Sequence, residues 1–369
     1  MSKPKNKNIN FWDPVIGSQE IKLINKALKM NWPNEGFFTS EFENKIEKLL
    51  KVKHAVCTTS GTISIFLALK AVGIKQNDEV IVPDITFGAT AMAVKLANAK
   101  LVIADINKQN FSFDLDDLNR KITKKTKAII PVHVSGRAAD LNEIKKVIKK
   151  KRIFIIEDAA ESLYSKYKNK FLGTIGDLGC FSLTASKTIT TGQGGIIVTN
   201  NSNLYKKLRL LKNQGIKGKS DGGDVKHISV GFNFKFTNLQ SAMGLAQLST
   251  LKKRSVKLKT INKLYKKKLK DLSHIKILDF KKEEVPLWTD AIAFKNRDGL
   301  INFLKKNKIE CRKFWFPLHL QKPFKEKSSN YKNSSKIYNK LFWLPSSLNL
   351  KVKDIIYITN MIKKFYRKN

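Results

Sequence analysis

Short apolar runs alternate with amphipathic stretches along the first half of the chain. The apolar runs predict buried strands at His54–Thr58, Glu79–Pro83, Lys100–Ala104, Ala128–Val134, Ile153–Glu157 and Gly195–Thr199. Between several of them, apolar residues recur at helical spacing, as in Thr62–Ala71, Thr90–Ala99 and Leu141–Lys150. This alternation predicts an α/β fold with a mostly parallel sheet, whose functional residues are expected at the carboxyl ends of the strands.

The pattern changes in the second half of the chain. A long helical stretch runs from about Asn238 to Leu269, and shorter mixed elements follow it up to a final helix over Asp354–Tyr366. We therefore predict a large domain over residues 1–250, with an N-terminal arm, and a smaller C-terminal α+β domain over residues 251–369. The polar segment Ser328–Ser335 is predicted to be an exposed loop.

Length and cysteine content restrict the class of protein. A chain of 369 residues can bury full hydrophobic cores in about two domains. Its three cysteines, Cys57, Cys180 and Cys311, are odd in number and far apart, so they predict a reducing, cytoplasmic setting without disulfides or a metal site. The basic N-terminus leads into Phe11 and Trp12 rather than a long apolar segment, and no run is long enough to span a bilayer. We expect no membrane partner.

The chain is strongly basic, with a formal net charge of +41. Eight of its 71 basic residues are arginine, which leaves 63 lysines, and these are spread along the whole chain rather than clustered in one stripe. Such a charge commonly marks a nucleic-acid-binding protein. Because no cluster is present, we expect a solvated basic surface without a nucleic-acid partner, and a positive field that draws anionic substrates toward a cleft.

Three features at the ends of predicted strands point to one chemistry. The first is the turn Ser60-Gly61-Thr62, which leaves a strand and opens a helix. A glycine there allows close approach of the backbone, and a helix N-terminus with hydroxyl groups offers donors to a phosphate. Taken alone, the same turn is also typical of an ordinary helix cap.

The second feature is a pair of carboxylates, Glu157 and Asp158, at the end of a strand predicted to be buried on both faces. A buried carboxylate is unfavourable unless a cation or hydrogen bonds match it. The chain has five histidines and none beside Asp158, which favours a protonated ring nitrogen over a metal ion as its partner. An acid that caps the next helix is the alternative.

The third feature is Lys187, which lies in a stretch of small, mostly uncharged residues between Cys180 and Gly195. Little bulk water would solvate an ammonium group there, which favours the free amine that reacts with aldehydes. The alternative is a lysine at a strand end that reaches solvent. An anion cradle, an acid for a ring nitrogen and a reactive amine are together the parts of a pyridoxal phosphate site.

The order of these motifs resembles that of a known family. The segments Asp158-Ala-Ala-Glu161, Gly173–Ser182, Lys187–Gly195 and Gly231–Gln240 look like those of the DegT/StrS sugar-nucleotide aminotransferases, which have the fold type I of pyridoxal phosphate enzymes. The similarity extends from about Glu35 to near the C-terminus. It implies pyridoxal 5′-phosphate as cofactor and a homodimer with sites at the subunit interface.

The resemblance also implies a role for each matching residue. Lys187 matches the catalytic lysine that forms a Schiff base with the cofactor, and Asp158 matches the partner of the pyridine nitrogen. The other implied cofactor-binding residues are Ser60, Gly61, Thr62 and Ser182 at the phosphate, Phe87 on the face of the ring, Glu161 near the ring, and Asn233, which reaches the phosphate of the neighbouring subunit.

Glu161 departs from many relatives, which carry glutamine at this position. An acid there resembles the GDP-perosamine synthase-like subgroup, which makes 4-amino-4,6-dideoxy sugars. The resemblance therefore implies amino transfer from L-glutamate to a nucleotide-linked 4-keto-6-deoxy sugar such as GDP-4-keto-6-deoxymannose, for surface polysaccharide (O-antigen) synthesis. Arg312 and His319 are candidates for binding the nucleotide diphosphate. The alternatives are a 3-keto sugar aminotransferase, another fold type I enzyme, and a non-catalytic nucleic-acid-binding protein.

Overall fold

A seven-stranded sheet forms the centre of the protein. The computed structural model describes residues 8–149, 151–217 and 225–368. The strands within these residues are β1 (His54–Thr58), β2 (Glu79–Pro83), β3 (Lys100–Ala104), β4 (Thr126–Ile129), β5 (Phe154–Asp158), β6 (Lys166–Tyr167), β7 (Lys170–Phe171), β8 (Leu178–Ser182), β9 (Gly195–Thr199), β10 (Ile275–Ile277), β11 (Thr289–Ala293), β12 (Arg312–Lys313) and β13 (Leu341–Leu344).

The central sheet has the strand order β1-β9-β8-β5-β4-β2-β3, and β9 is antiparallel to both of its neighbours. The other neighbouring strands are parallel, so the predicted mostly parallel α/β sheet is confirmed. β8 was expected only as an apolar, strand-like run around Cys180, without bounds. The run predicted over Ala128–Val134 pairs regularly only as far as Ile129, because Pro131 has no N–H for the ladder, although Val132 still bridges Asp158.

Helices cover both faces of this sheet and pack on a second one. The described α-helices are α1 (Ser18–Lys29), α2 (Phe37–Leu50), α3 (Gly61–Ala71), α4 (Ala89–Leu96), α5 (Leu115–Lys121), α6 (Leu141–Ile148), α7 (Ser202–Lys212), α8 (Asn238–Ser249), α9 (Leu251–Leu269), α10 (Arg297–Lys306), α11 (Lys332–Ile337) and α12 (Val352–Lys368). Lys150, at the end of the third predicted helix, lies outside the described residues.

The predicted helix from Asn238 to Leu269 is two helices, α8 and α9, which meet at Thr250. The backbone of Thr250 leaves the helical region with φ −104° and ψ 0°. Its hydroxyl donates to the carbonyl of Gln247 and so offers the chain an alternative to the helical hydrogen bond. The domain boundary predicted after residue 250 falls at this break and stays a prediction.

The second sheet is antiparallel, with the order β10-β11-β13-β12, and α9, α10 and α12 contribute to its hydrophobic core. The prediction of an exposed loop over Ser328–Ser335 is confirmed for the exposed residues Ser328–Asn330 and is wrong beyond them. This segment forms a short 3-10 turn at Ser328–Asn330 and then enters α11, with Tyr331 and Ser334 fully buried. Because most residues of the segment are polar, its sequence does not reveal that these two side chains are buried.

The cysteines behave as core residues. Cys57 and Cys180 are free and buried, and burial raises the pKa of both thiols, so neither is suited to be a nucleophile. Within the described residues, no helix combines the length and the apolar character needed to cross a bilayer. No group of three or more histidine, cysteine or acidic side chains gathers there as a metal site.

Candidate active site

Lys187 lies in the loop between β8 and β9, beyond the carboxyl end of β8. Three hydrogen bonds shape this loop: the N–H of Lys187 donates to the Thr184 carbonyl at 3.1 Å, that of Leu183 to the Gly194 carbonyl at 2.9 Å, and the Trp12 indole N–H to the Ala185 carbonyl at 2.9 Å. The Lys187 side chain is only 13% exposed. It is therefore held inside the protein rather than extended into solvent.

The neighbours of the Lys187 amine differ in part from those expected. Small residues surround it in sequence, but in space Nζ lies 3.8 Å from Oε1 of Glu161 and 5.3 Å from the centre of the Trp288 ring. A carboxylate and an aromatic face both favour a cation. The surroundings of the amine are therefore more polar and more aromatic than its neighbours in sequence suggest.

Asp158 ends β5 and is 5% exposed. Its Oδ2 accepts a hydrogen bond from the Thr90 hydroxyl at 2.7 Å, and its Oδ1 accepts one from the N–H of Ala160 at 3.1 Å. Burial raises the pKa of the carboxyl above its ordinary value, although these two hydrogen bonds and the charge of Lys187 oppose the shift. No helix follows β5 before β6, so the helix-capping alternative is excluded.

Glu157 and Asp158 are adjacent in sequence but have different environments. Glu157 accepts hydrogen bonds from the N–H groups of Gly173, Ile175 and Gly176 and from Nε2 of His133. Burial acts to raise its pKa, but the His133 hydrogen bond and the backbone donors outweigh it and hold the pKa below the ordinary value. Glu157 is therefore satisfied internally, whereas Asp158 would be stabilised by a further cation.

Glu161 comes three residues after the end of β5 and is almost completely buried. Its Oε2 accepts from the N–H of Ser135 at 2.7 Å, and its Oε1 accepts from the Trp315 indole N–H at 3.1 Å. Burial raises the pKa of this carboxyl, with the charge of Lys187 opposing. Glu161 thus contacts both the Lys187 amine and the indole of Trp315.

The residues predicted to form the phosphate cradle meet at the start of α3. The Ser60 hydroxyl caps this helix by accepting from the N–H of Ile63 at 3.2 Å. A Cβ on Gly61 would lie 2.9 Å from the Cβ of Ser182, closer than side chains approach each other. Only glycine therefore allows the end of β8 to lie against the helix N-terminus, where the first N–H groups have no helical acceptor and Thr62 adds a hydroxyl.

Phe87 is 58% exposed, so its ring does not belong to the hydrophobic core. Its ring lies 5.0 Å from that of Trp315, which in turn packs against Trp288 and Trp343. These rings form one apolar wall beside Lys187, on which a flat cofactor could rest.

Asn233 is exposed, and its backbone pairs with Asn213 in an isolated antiparallel bridge. Arg312 is exposed, pairs with Glu310 at 3.0 Å and lies over the ring of Phe11. The structure does not place His319 where a nucleotide could bind. Its side chain is fully buried and donates from Nδ1 to a carboxylate, so that expectation is corrected.

Sequence reasoning missed Thr90, Ser135 and Trp315, which contact the candidate site residues Asp158 and Glu161. Thr90 gives no signal, because a threonine in the first turn of a helix is common. Ser135 adopts a positive φ of 53°, which its sequence does not reveal. Trp315 lies in a segment that resembles relatives, but nothing in the sequence assigns it a partner.

Comparison with known proteins identifies this arrangement. The model of the DegT/DnrJ/EryC1/StrS aminotransferase family matches residues 14–363. The GDP-perosamine synthase of Escherichia coli O157:H7 is 34% identical over 364 residues, which cover 98% of this chain and 99% of that protein. The GDP-perosamine synthase of Vibrio cholerae is 32% identical over 367 residues, which cover 97% of this chain and 99% of that protein.

Solved structures agree with the family match. The putative sugar aminotransferase Spr1654 of Streptococcus pneumoniae, in its PMP form, superposes with a TM-score of 0.93 and 26% identity, over 98% of this chain and 100% of that one. Helicobacter pylori PseC, an aminotransferase involved in the biosynthesis of pseudoaminic acid, superposes with a TM-score of 0.92 and 25% identity, over 98% of this chain and 100% of that one.

Pyridoxal phosphate fits the residues present. The helix N-terminus at Gly61 can accept a phosphate, the buried Asp158 carboxylate favours a protonated ring nitrogen, and the Lys187 amine is close enough to Asp158 for their charges to interact. The pneumococcal relative is known in both its PLP and its PMP form, and pyridoxal phosphate is accordingly the cofactor. With its fold type I architecture, the chain belongs to the DegT/DnrJ/EryC1/StrS aminotransferase family.

Proposed function

We propose that the protein transfers the amino group of L-glutamate to the keto group of a nucleotide-linked 4-keto-6-deoxy sugar, such as GDP-4-keto-6-deoxymannose, for surface polysaccharide synthesis. The observation that carries the proposal is the pairing of Lys187 with Glu161 at 3.8 Å. The lysine favours amino transfer, and an acid at position 161 resembles enzymes that make 4-amino-4,6-dideoxy sugars. The names of the Escherichia coli and Vibrio cholerae relatives support the same substrate class.

Lys187 is the proposed general base and acid. When bound, pyridoxal phosphate supplies an aldehyde that carries the amino group and a ring that accepts electrons from the substrate carbon. The Nζ atom of Lys187 removes the proton from the α carbon of bound L-glutamate. In the second half of the reaction the same atom delivers a proton to the sugar carbon that carried the keto group. Two successive substrates at one site predict ping-pong kinetics.

Asp158 is the proposed partner of the ring nitrogen. Its carboxylate is buried and carries two hydrogen bonds, from the Thr90 hydroxyl and the Ala160 N–H. These bonds orient the carboxylate and oppose the effect of burial, which favours the protonated acid. The ionised Asp158 carboxylate would hold the ring nitrogen in its protonated form, because the two opposite charges attract each other.

The aromatic wall is proposed to orient the reactants and exclude water. Phe87 offers an exposed ring face, while Trp315 is fixed by its hydrogen bond to Glu161. The phosphate would bind at Ser60, Gly61, Thr62 and Ser182. Arg312 is exposed and basic, and it is the proposed contact for the nucleotide diphosphate, toward which the net positive charge of the chain also steers anionic substrates.

In this proposal the protein is a cytoplasmic homodimer with its sites at the subunit interface. Several large apolar side chains are exposed on α1, α2 and α4 and in the segment before Gly231, among them Ile21, Phe37, Leu96 and Val230, the last with 84% exposure. A second copy would cover such residues. Asn233 lies three residues after Val230 and is exposed. Its side chain is therefore accessible to the cofactor phosphate of a neighbouring subunit.

Incubation of the purified protein with pyridoxal phosphate, L-glutamate and single nucleotide sugars tests the proposal. The GDP-, UDP- and dTDP-linked 4-keto-6-deoxy sugars, and a 3-keto isomer, are each assayed by mass spectrometry for exchange of oxygen for an amino group and for formation of 2-oxoglutarate. We expect a 4-keto sugar, with GDP as the carrier, to give the highest kcat/KM. Preference for the 3-keto isomer, or no glutamate-dependent product, would refute the assignment.

A further inference from the structure

A buried carboxylate outside the proposed chemistry joins two parts of the site. Asp84 directly follows β2 and is fully buried. Its Oδ1 accepts from the N–H of His319 at 2.9 Å, and its Oδ2 accepts from Nδ1 of His319 at 2.6 Å and from the Ser334 hydroxyl at 2.5 Å. Its backbone carbonyl also accepts from the N–H of Leu318 at 2.8 Å. One side chain thus receives three hydrogen bonds from a segment more than two hundred residues away.

The two segments that Asp84 joins carry two of the aromatic residues of the site. Phe87 comes three residues after Asp84, and Trp315 comes four residues before His319. The rings of Phe87 and Trp315 lie 5.0 Å apart, and the Trp315 indole donates to Glu161, the carboxylate that faces Lys187. Displacement of either segment would therefore change the wall on which the cofactor is proposed to rest.

Contacts with Tyr331 and Ser335 fix the orientation of the His319 ring. The ring stacks on that of Tyr331 with 4.4 Å between centroids and 12° between planes. Tyr331 is itself buried, and its hydroxyl donates to Glu326 at 2.5 Å. Nδ1 carries the proton that it donates to Asp84, because an ionised carboxylate only accepts, and Nε2 lies 3.3 Å from the Ser335 hydroxyl. The stack therefore aims Nδ1 at the carboxylate.

We propose that Asp84 and His319 are positioning residues, which lock the Phe87 and Trp315 segments together beside Lys187. Neither side chain reaches the cleft, because both are fully buried, and they act through the two aromatic residues. The role of Phe87 in cofactor binding rests on the proposed function, whereas its packing against Trp315 is seen in the structure. Cofactor affinity and the packing of Trp315 can therefore be measured separately.

Two variants of His319 separate its hydrogen bond from its packing. In His319→Asn the amide nitrogen takes the place of Nδ1 and can still donate to Asp84, whereas in His319→Gln the amide lies one bond farther out, where Nε2 was. Both lose the stack on Tyr331 equally. We expect the dissociation constant of pyridoxal phosphate to rise about tenfold in His319→Gln and to stay within about threefold of the wild type in His319→Asn.

Near-UV circular dichroism of the protein without cofactor provides the second readout. The contribution of Trp315, defined by the difference from Trp315→Phe, is expected to be lost in His319→Gln and kept in His319→Asn. His54→Asn is the matched control, because His54 makes the same kind of stack on Tyr205 (4.3 Å, 8°) and contacts Ser202, at the far end of β1 from the site. It should change neither readout.

Ser334→Ala removes one hydrogen-bond donor to Asp84 but little side-chain volume. It therefore tests the proposal even if a His319 variant does not fold. We expect an intermediate loss in both readouts. Equal effects of His319→Asn and His319→Gln, or wild-type behaviour of both His319→Gln and Ser334→Ala, would overturn the proposal. Failure of every nucleotide sugar to react would refute the proposed function but leave both readouts interpretable.

Discussion

Oε1 of Glu161 lies 3.8 Å from Nζ of Lys187, inside a site where both side chains are largely buried. The same oxygen accepts a hydrogen bond from the Trp315 indole. A carboxylate in this position stabilises the protonated amine through its negative charge. A glutamine at the same position has no charge and would stabilise the protonated amine less. The identity of residue 161 should therefore affect how the site handles protons.

Replacement of Glu161 with glutamine tests this relationship. Burial raises the pKa of the Glu161 carboxyl above that of an ordinary glutamate, so its titration should contribute to the pH profile. We expect Glu161→Gln to lower kcat about 10- to 100-fold and to flatten that profile. The measurement is kcat and kcat/KM of both proteins between pH 5 and 8. Profiles of identical shape for both proteins would show that Glu161 does not take part in proton handling.

Replacement of Asp158 with asparagine should separate function from stability. Burial raises the pKa of Asp158 in the folded protein, so its stabilising contribution is fully present below the unfolded pKa of about 3.9 and is lost as the pH rises through the folded pKa. Without cofactor, Asp158→Asn should therefore raise Tm by about 1–2 °C at pH 7.5, and by less at pH 4.5. Amino transfer should be lost, because a neutral amide does not hold the ring proton.

The exposed Asp271, whose side chain is 82% accessible, provides the control for that experiment. Asp271→Asn should leave the pH dependence of Tm and the activity unchanged. If Asp158→Asn were less stable than the wild type across the whole range, the energetic cost assigned to the buried carboxylate would be wrong.

The phosphate cradle can be blocked with one methyl group. In Gly61→Ala the new Cβ would lie 2.9 Å from Ser182 Cβ and 3.3 Å from its Oγ, so β8 and α3 must separate. We expect the dissociation constant of pyridoxal phosphate to rise at least about tenfold. Gly17→Ala is the matched control, because its Cβ would meet only Oε2 of Glu20 at 3.7 Å. Equal affinities in an absorbance titration of the two variants would place the phosphate elsewhere.

The N-terminal arm should help to position Lys187. The Trp12 indole N–H donates to the carbonyl of Ala185, two residues before the lysine. Trp12→Phe removes this bond and keeps most of the ring, and we expect kcat to fall about 3- to 10-fold with little change in Tm. Trp32→Phe removes a similar bond, from the Trp32 indole to the Glu35 carbonyl, and should not affect kcat. Similar kcat values for the two variants would exclude this role of the arm.

Much of the fold follows from local pattern, and several exceptions have physical causes. β1, β2, β3 and β9 were predicted with their observed bounds, because each is a short apolar run between polar turns. The break at Thr250 depends on a side-chain hydrogen bond that periodicity does not reveal.

Burial that arises from distant partners is also invisible in the sequence. Tyr331 was placed in an exposed loop because its neighbours are polar, yet it stacks on His319. His319 in turn was expected at the nucleotide, because nothing local indicates its bond to Asp84. The order of Ser60, Asp158 and Lys187 along the chain predicted the chemistry, whereas Thr90 and Trp315, their neighbours in space, required the structure.

One lysine out of 63, Lys187, is proposed to carry the cofactor. Reduction of the protein with borohydride in the presence of pyridoxal phosphate, followed by peptide mass spectrometry, identifies the modified lysine. We predict stoichiometric labelling of the peptide that contains Lys187, and its loss in Lys187→Ala but not in Lys45→Ala, a variant of an exposed lysine on α2. Stoichiometric labelling at any other lysine, or persistence of full labelling and amino transfer in Lys187→Ala, would contradict the assignment.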